Sequence, residues 1–191
     1  NAEMLRASQK YEESLENYRA YLEEVPGDQW ELHGMESITL TQQWVANPTR
    51  HIVNPEKELN SRESDYCPVF LGNSDNEILF TSARKASTGK RRSMITGQTY
   101  ADLFKSEFNV QRQKWGTPKL ADENMIVNTT DEEGAVSVAG TGSQVLFTRC
   151  RYDKNQSMGA QIYSTSQVRG SWAEPVKLDI FADSILVAHP A

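Results

Sequence analysis

Cysteine, excess positive charge and long apolar runs are all scarce in this chain. Its 191 residues include two cysteines, Cys67 and Cys150, too few for a disulfide framework or a four-cysteine zinc site. We interpret both as small apolar residues within strands, with a single disulfide between them as the alternative. The net charge of −6 argues against a general nucleic-acid binder, because phosphate binding requires clustered Lys and Arg. No apolar run approaches the roughly 18 residues of a membrane helix, so we predict no transmembrane segment.

Residue patterns for catalysis are scarce too. His33, His51 and His189 lie far apart in the sequence, and none shares a metal-ligand spacing with Cys, Asp or Glu. There is no Gly-x-Ser-x-Gly nucleophile elbow. Gly89-Lys90 resembles the end of a phosphate loop but lacks the glycine five residues earlier. We therefore predict a non-enzymatic chain without cofactor or metal, with a metal site assembled from separate strands as the open alternative.

The first 47 residues have helical periodicity. Apolar residues recur at i, i+4, i+7 and i+11, at Tyr11, Leu15, Tyr18 and Leu22. Pro26 ends this helix, and Asp28 is placed to cap the next one, over about 29–45. We predict two antiparallel helices in residues 1–47 and a linker over residues 48–62.

Residues 63–191 consist of short β-branched and aromatic runs between turn residues, and they contain an internal repeat. The segment Tyr66 to Arg84 aligns without gaps on Glu133 to Arg151, 67 residues later. Five positions match their partners: Val69, Leu79, Phe80, Thr81 and Arg84. The match resumes further along, where Ala101 aligns with Ala160 and Trp115 with Trp172. We interpret the two tryptophans as packing residues first, with ligand stacking as the alternative.

Four short antiparallel strands in each copy are typical of a β-propeller blade. Residues 188–191 start a third copy, in which we align Pro190-Ala191 with Ala135-Val136. Because a ring needs about four to eight blades, we interpret the chain as a fragment of a longer protein. The predicted fold class is α+β, with a helical hairpin followed by the antiparallel β-sheet blades of an incomplete β-propeller. A two-sheet β-sandwich is the alternative.

Two charged clusters are the candidate binding residues. The basic cluster lies in a polar insertion over 85–97, and its candidates are Lys90, Arg91 and Arg92. The acidic cluster precedes the first strand of the second copy and comprises Asp131, Glu132 and Glu133. We interpret both clusters as solvated loops first. As possible partner-binding residues, the acidic cluster would contact a cation or a partner, and the basic cluster an acidic partner or a phosphate-bearing glycan.

The copies resemble the TolB-type propeller repeat. The resemblance depends on Pro68-Val69-Phe70, Leu79-Phe80-Thr81-Ser82 and Asp102-Leu103-Phe104 in the first copy, and on Leu146-Phe147-Thr148 and Gln161-Ile162-Tyr163 in the second. Both copies lack the Ser-Pro-Asp-Gly turn of that repeat. The helical part resembles the end of a tetratricopeptide array, through Tyr11, Ser14, Tyr18 and Pro26.

The order of these parts, with Leu59-Asn60-Ser61 before the first copy, resembles Bacteroidetes OmpA-family envelope proteins. Among them it is most similar to PorE-like components of the type IX secretion system, with PorW/SprE-like proteins as a second possibility. The resemblance implies a scaffold of the periplasm and outer membrane whose partners are other envelope or secretion-system proteins. It implies peptidoglycan contact only through a domain outside this chain. The propeller domain of a serine peptidase and a carbohydrate-binding propeller are the alternatives.

Overall fold

The computed structural model describes residues 1–72, 75–94, 96–139, 143–153, 156–168, 170–182 and 185–191. Its internal contacts divide the chain into two units, Asn1–Asn54 and Pro55–Ala191. Residues 55–62 of the predicted linker therefore belong to the second unit. They fold there because Leu59 is buried and the Ser61 hydroxyl donates to the Asp65 carboxylate at 2.8 Å.

The first unit is helical. Its helices are α1 (Ala2–Ala7), α2 (Tyr11–Glu24) and α3 (Gln29–Ala46). The two predicted helices are confirmed as α2 and α3, and the Asp28 carboxylate caps α3 by accepting from the Trp30 N–H at 3.0 Å. A third helix, α1, precedes the predicted pair and ends before Gln9, whose φ is a left-handed 61°. None of the helices in the described ranges is long and apolar enough to cross a membrane.

Close packing of α2 on α3 depends on one glycine. Tyr18 and Ile38 are fully buried and form the centre of this unit's apolar core. The Tyr18 ring lies over Gly34, where a Cβ atom would be only 2.6 Å from the ring carbon Cζ. Gly34 therefore provides the space that the tyrosine occupies.

The second unit contains two antiparallel sheets. The strands of the first sheet are β1 (Asp65–Phe70), β2 (Glu77–Ser82), β3 (Asp102–Asn109), β4 (Lys114–Trp115) and β5 (Lys119–Leu120). Those of the second are β6 (Glu132–Ala139), β7 (Gln144–Asp153), β8 (Gln156–Val168), β9 (Ser171–Trp172) and β10 (Val176–Lys177). In each sheet three consecutive strands pair in order, and the two short strands that follow both pair with the third. Helices followed by antiparallel sheets agree with the predicted α+β class.

The sequence repeat is also a repeat of strand register. Thr81 pairs with Leu103 in the first sheet as Thr148 pairs with Ile162 in the second. A hydroxyl on the third strand donates to the chain after the fourth in both sheets, at 2.7 Å. The donors are Ser106 to Gly116 and Thr165 to Ala173.

The gapless alignment was wrong by one residue along the first strand of each copy. Thr81 pairs with Tyr66 and Thr148 with Gly134, so Tyr66 corresponds to Gly134 rather than to Glu133. The chain between the paired residues Val69 and Leu79 is one residue longer than the chain between the paired residues Ser137 and Leu146, which hides the shift. Both strands bulge next to this pair, at Cys67 and Ala135, whose φ angles are 49° and 48°.

The last residues of the chain bond to the second sheet in the way that the start of β6 bonds to the first sheet. The Ala135 N–H donates to the Thr81 hydroxyl, and the His189 N–H donates to the Thr148 hydroxyl, both at 3.0 Å. His189 also has a left-handed φ of 57°. Its counterpart is therefore Ala135, and aligning Pro190 with Ala135 was wrong by one residue.

A single apolar core joins the two sheets. It contains Leu79 and Leu103 from the first sheet and Phe147, Tyr163 and Trp172 from the second, all buried. The Ala121 carbonyl also accepts a hydrogen bond from the Trp172 indole Nε1 at 2.8 Å. Trp172 is thus a packing residue, as predicted.

Candidate functional site

The predicted basic insertion is held by its own backbone. The Tyr100 N–H donates to the Arg91 carbonyl at 3.1 Å, and the Ser93 N–H donates to the Gln98 carbonyl at 2.9 Å. The Arg92 guanidinium donates to the Gly97 carbonyl at 2.8 Å. The insertion therefore presents its arginines from a bonded loop between β2 and β3.

The acidic cluster divides into accessible and buried members. Asp131 and Glu132 are half-buried at the start of β6, and the Asp131 carboxylate accepts from the Tyr152 N–H at 3.2 Å. Glu133 is fully buried. Its predicted role as a partner contact was wrong, because its carboxylate pairs internally with Arg149 at 2.8 Å.

Arg91, Arg92 and Glu132 line one cleft, although the sequence treats them as parts of separate clusters. The cleft has a volume of about 680 Å³. Its other lining residues are Ser93, Met94, Tyr100 and Tyr152. Lys90 is exposed and lies outside the cleft lining.

Two stacked tyrosines form the aromatic wall of the cleft. The Tyr100 and Tyr152 rings are 5.0 Å apart between centroids, with 23° between their planes. The guanidinium carbon of Arg91 lies 5.8 Å from the Tyr152 centroid, within range of a cation–π contact. A hydrogen bond with Tyr100, together with burial, raises the pKa of Tyr152. The phenol therefore stays protonated and serves as a hydrogen-bonding group.

The rim of the cleft combines opposite charges. Burial raises the pKa of Glu132, and a hydrogen bond from the Ala101 backbone offsets this in part. Arg92 is exposed and Arg91 half-exposed, while Met94 is fully exposed beside them. The arrangement offers two guanidinium groups, an apolar side chain and an aromatic wall to a ligand.

A buried polar junction lies where β3 meets β6. Asp102 of β3 interacts with Glu133, and both side chains are fully buried. The Asp102 Oδ2 atom accepts from the Thr88 N–H, while its Oδ1 atom is the one buried polar side-chain atom in the described ranges without a hydrogen-bond partner. A proton between the two carboxyl groups would satisfy that atom.

Burial dominates the ionisation of this junction. It raises the pKa of Glu133 to about 7, although hydrogen bonds from Thr129 and the charge of Arg149 favour the ionised form. Burial raises the pKa of Asp102 as well. Burial therefore favours the protonated form of both carboxyl groups at this junction between the two sheets.

The two thiols are free and half-buried, in β1 and β7. Burial, with the carboxylates of the acidic cluster, raises the pKa of Cys150 to about 11. Cys150 is therefore an unreactive thiol at neutral pH. In the part of the chain that the structure describes, no group of three His, Cys, Asp or Glu could hold a metal ion.

Sequence reasoning missed Tyr100, Tyr152, Asp102 and Arg149. One signal for the buried junction was available. Leu59-Asn60-Ser61 recurs as Val127-Asn128-Thr129, 68 residues later. In both copies the hydroxyl residue bonds an acid four residues on, Asp65 or Glu133. The position of this tripeptide therefore identifies, four residues after its hydroxyl residue, the carboxylate that forms the ion pair with arginine.

Comparison of the chain with protein-family models, with curated proteins and with solved structures finds no match in any of the three. Function is therefore inferred from the residues of the chain itself.

Proposed function

We propose that this chain is a non-catalytic scaffold that binds an acidic segment of a partner protein in the cleft at Arg91 and Arg92. The observation that carries the proposal is the convergence of both arginines and the tyrosine pair on one cleft. Guanidinium groups bind carboxylates through paired hydrogen bonds. The exposed Met94 and the tyrosine wall suit an apolar residue beside the acidic one.

For the fold of the larger assembly, we propose that the two sheets are neighbouring blades of a TolB-type propeller. Repeated register, repeated bulges and a shared core support this. We also propose that the helices end a tetratricopeptide-like array. Exposed Trp30, Leu40 and Trp44 on α3 support a further helical or protein neighbour.

The resemblance to OmpA-family envelope proteins gives this scaffold its proposed setting. We propose that it belongs to the cell envelope, on the periplasmic side of the outer membrane, within a type IX secretion assembly. Its partners there are other secretion-system proteins, and peptidoglycan would be reached only through a domain outside this chain.

Binding of the purified chain to candidate secretion-system partners tests the proposal. Reversing both cleft charges, with Arg91→Glu and Arg92→Glu together, should weaken binding by about 10-fold or more and reduce its salt dependence. The matched control is Lys85→Glu with Lys90→Glu, which changes the same charge in the same insertion outside the cleft. Equal losses in both variants would show a general charge effect and sink the cleft proposal.

A further inference from the structure

Glu132 brings a carboxylate into the cleft that Arg91 and Arg92 line. The side chain is half-buried, and none of the ion pairs among the described residues includes it. Arg92 instead donates to the Gly97 carbonyl, and Arg91 lies over the Tyr152 ring. The basic insertion therefore leaves the charge of Glu132 without a counter-charge.

The groups around this carboxylate are neutral or acidic. Burial, together with the charge of Glu132, raises the pKa of the Cys150 thiol to about 11 and that of the Tyr66 phenol to about 12. Both groups are therefore uncharged at neutral pH. Asp131, the preceding residue, adds a second half-buried carboxylate. This part of the cleft thus has a negative potential, which attracts a cation.

Glu132 opposes the binding of a ligand that carries only negative charge. A ligand that fills the cleft removes water from this carboxylate, and a carboxylate that loses water without gaining a partner charge is strongly disfavoured. The ligand's own carboxylate would add repulsion. A cation in the ligand removes both penalties, because it pairs with Glu132 as the acid pairs with the arginines.

Tyr152 lies close to both charged positions of the cleft. The guanidinium carbon of Arg91 is 5.8 Å from its ring centroid. A hydrogen bond with Tyr100 and burial raise the pKa of Tyr152, and the charge of Glu132 adds to this effect, which requires that the carboxylate lie near the phenol. An extended peptide advances about 3.3 Å per residue. The acid and the cation of a bound peptide therefore belong to residues that are close in its sequence.

We propose that the segment bound in the cleft is zwitterionic, an inference that rests on the proposed function. Its acidic residue binds Arg91 and Arg92, and a Lys or Arg close to it in sequence binds Glu132 beside the tyrosine pair. Glu132 is thus a specificity-determining residue. It selects segments that carry both charges over segments that are only acidic, because the latter leave its carboxylate buried and unpaired.

Fluorescence anisotropy at pH 8 with short labelled peptides tests the proposal. Each zwitterionic peptide carries one Glu and, one, two or three residues later, one Lys; its acid-only counterpart carries Gln in place of the Lys. At least one zwitterionic peptide should bind the wild-type chain about 10-fold more tightly than its counterpart. Glu132→Gln should abolish this preference and tighten the binding of the acid-only peptide, a gain that also shows the variant to be folded. Glu123→Gln, the same change at an exposed position outside the cleft lining, should keep the preference.

The double variant Arg91→Glu with Arg92→Glu separates this inference from the proposed function. If that variant loses binding but the wild-type chain binds each acid-only peptide as tightly as its zwitterionic counterpart, the zwitterionic ligand is refuted and the cleft remains the site. The same holds if Glu132→Gln leaves the preference unchanged, or if Glu123→Gln reduces it equally. Peptide binding that the double variant does not weaken, or a wild-type chain that binds none of the peptides, would overturn both the inference and the proposed function.

Discussion

The guanidinium Nε of Arg149 lies 2.8 Å from the Glu133 carboxylate, in an ion pair enclosed where the two sheets meet. The first sheet makes the equivalent pair with Arg84 and Asp65, also at 2.8 Å. In each sheet the guanidinium lies over two aromatic rings: Phe80 and Phe104 for Arg84, Phe147 and Tyr163 for Arg149. Each copy of the repeat therefore contains an arginine–carboxylate ion pair whose guanidinium lies over two aromatic rings.

At pH 8, where Glu133 is ionised, replacing Arg149 with Met should destabilise the second unit by about 3–5 kcal/mol, because the change leaves a buried carboxylate without its partner. Urea unfolding followed by tryptophan fluorescence measures the loss. Arg151→Met is the matched control. Arg151 is exposed, so its replacement should change stability by less than about 0.5 kcal/mol. Similar losses in both variants would contradict the assignment of the ion pair to Arg149.

This pair shows where sequence comparison was insufficient. The gapless alignment matched Arg84 with Arg151, since the two are identical in type and position. In the structure, the arginine equivalent to Arg84 in the ion pair is Arg149, which lies in β7 at the position that corresponds to Ser82. Arg84 itself lies beyond the end of β2 and bonds to Asp65 from there. A long side chain can reach one site from two backbone positions, so letter identity does not fix the equivalent residue.

Other parts of the fold followed directly from local patterns. Helical periodicity and the Asp28 cap gave α2 and α3, and the recurring strand runs gave two sheets. The cleft could not be found this way, because Arg91 and Glu132 are 41 residues apart in the sequence. They meet only because β6 lies beside β3, through the bond from the Glu133 N–H to the Ala101 carbonyl at 2.9 Å.

The stability of the second unit should fall as pH rises from about 4.5 to about 7. In that window the folded chain keeps the proton on Glu133, whose pKa is about 7, whereas the unfolded chain has released it. Stability therefore decreases with pH, by up to about 3 kcal/mol. Asp102, whose pKa burial also raises, contributes in the same direction. Urea midpoints from pH 4.5 to pH 8 measure the slope.

Asp102→Asn isolates the carboxyl pair. The amide can still accept from the Thr88 N–H and can donate to the Glu133 carboxylate, so it replaces the shared proton with a permanent one. The pH slope should shrink, and stability at pH 8 should rise relative to wild type. Glu123→Gln is the control, because it removes an exposed carboxylate and should leave the slope unchanged. An Asp102→Asn profile parallel to wild type would contradict the shared proton.

Asn128→Ala should destabilise the second unit by about 1–3 kcal/mol. The Asn128 amide accepts from the Leu103 N–H and donates to the Leu103 carbonyl, both at 2.9 Å. The variant would leave the buried Leu103 N–H without this acceptor, while the Leu103 carbonyl would keep its bond from the Ala121 N–H. Asn60→Ala is the matched control from the first copy, because Asn60 is exposed and its loss should be within about 0.5 kcal/mol. Equal effects would show that the asparagine acts through its local turn in both copies.

Gly34→Ala should destabilise α2 and α3 by about 1–3 kcal/mol, although alanine ordinarily stabilises a helix relative to glycine by about 1 kcal/mol. The added methyl would lie 2.6 Å from the Tyr18 ring, so the two helices must separate or the ring must leave the core. Amide hydrogen exchange across α2 and α3 measures the loss locally. Tyr18→Leu should relieve the clash, so the double variant should lose less than the sum of the single variants. Thr39→Ala, at an exposed position of the same helix, is the control. If the amides of the Gly34→Ala variant exchange as slowly as those of this control, the close packing of Tyr18 on Gly34 is contradicted.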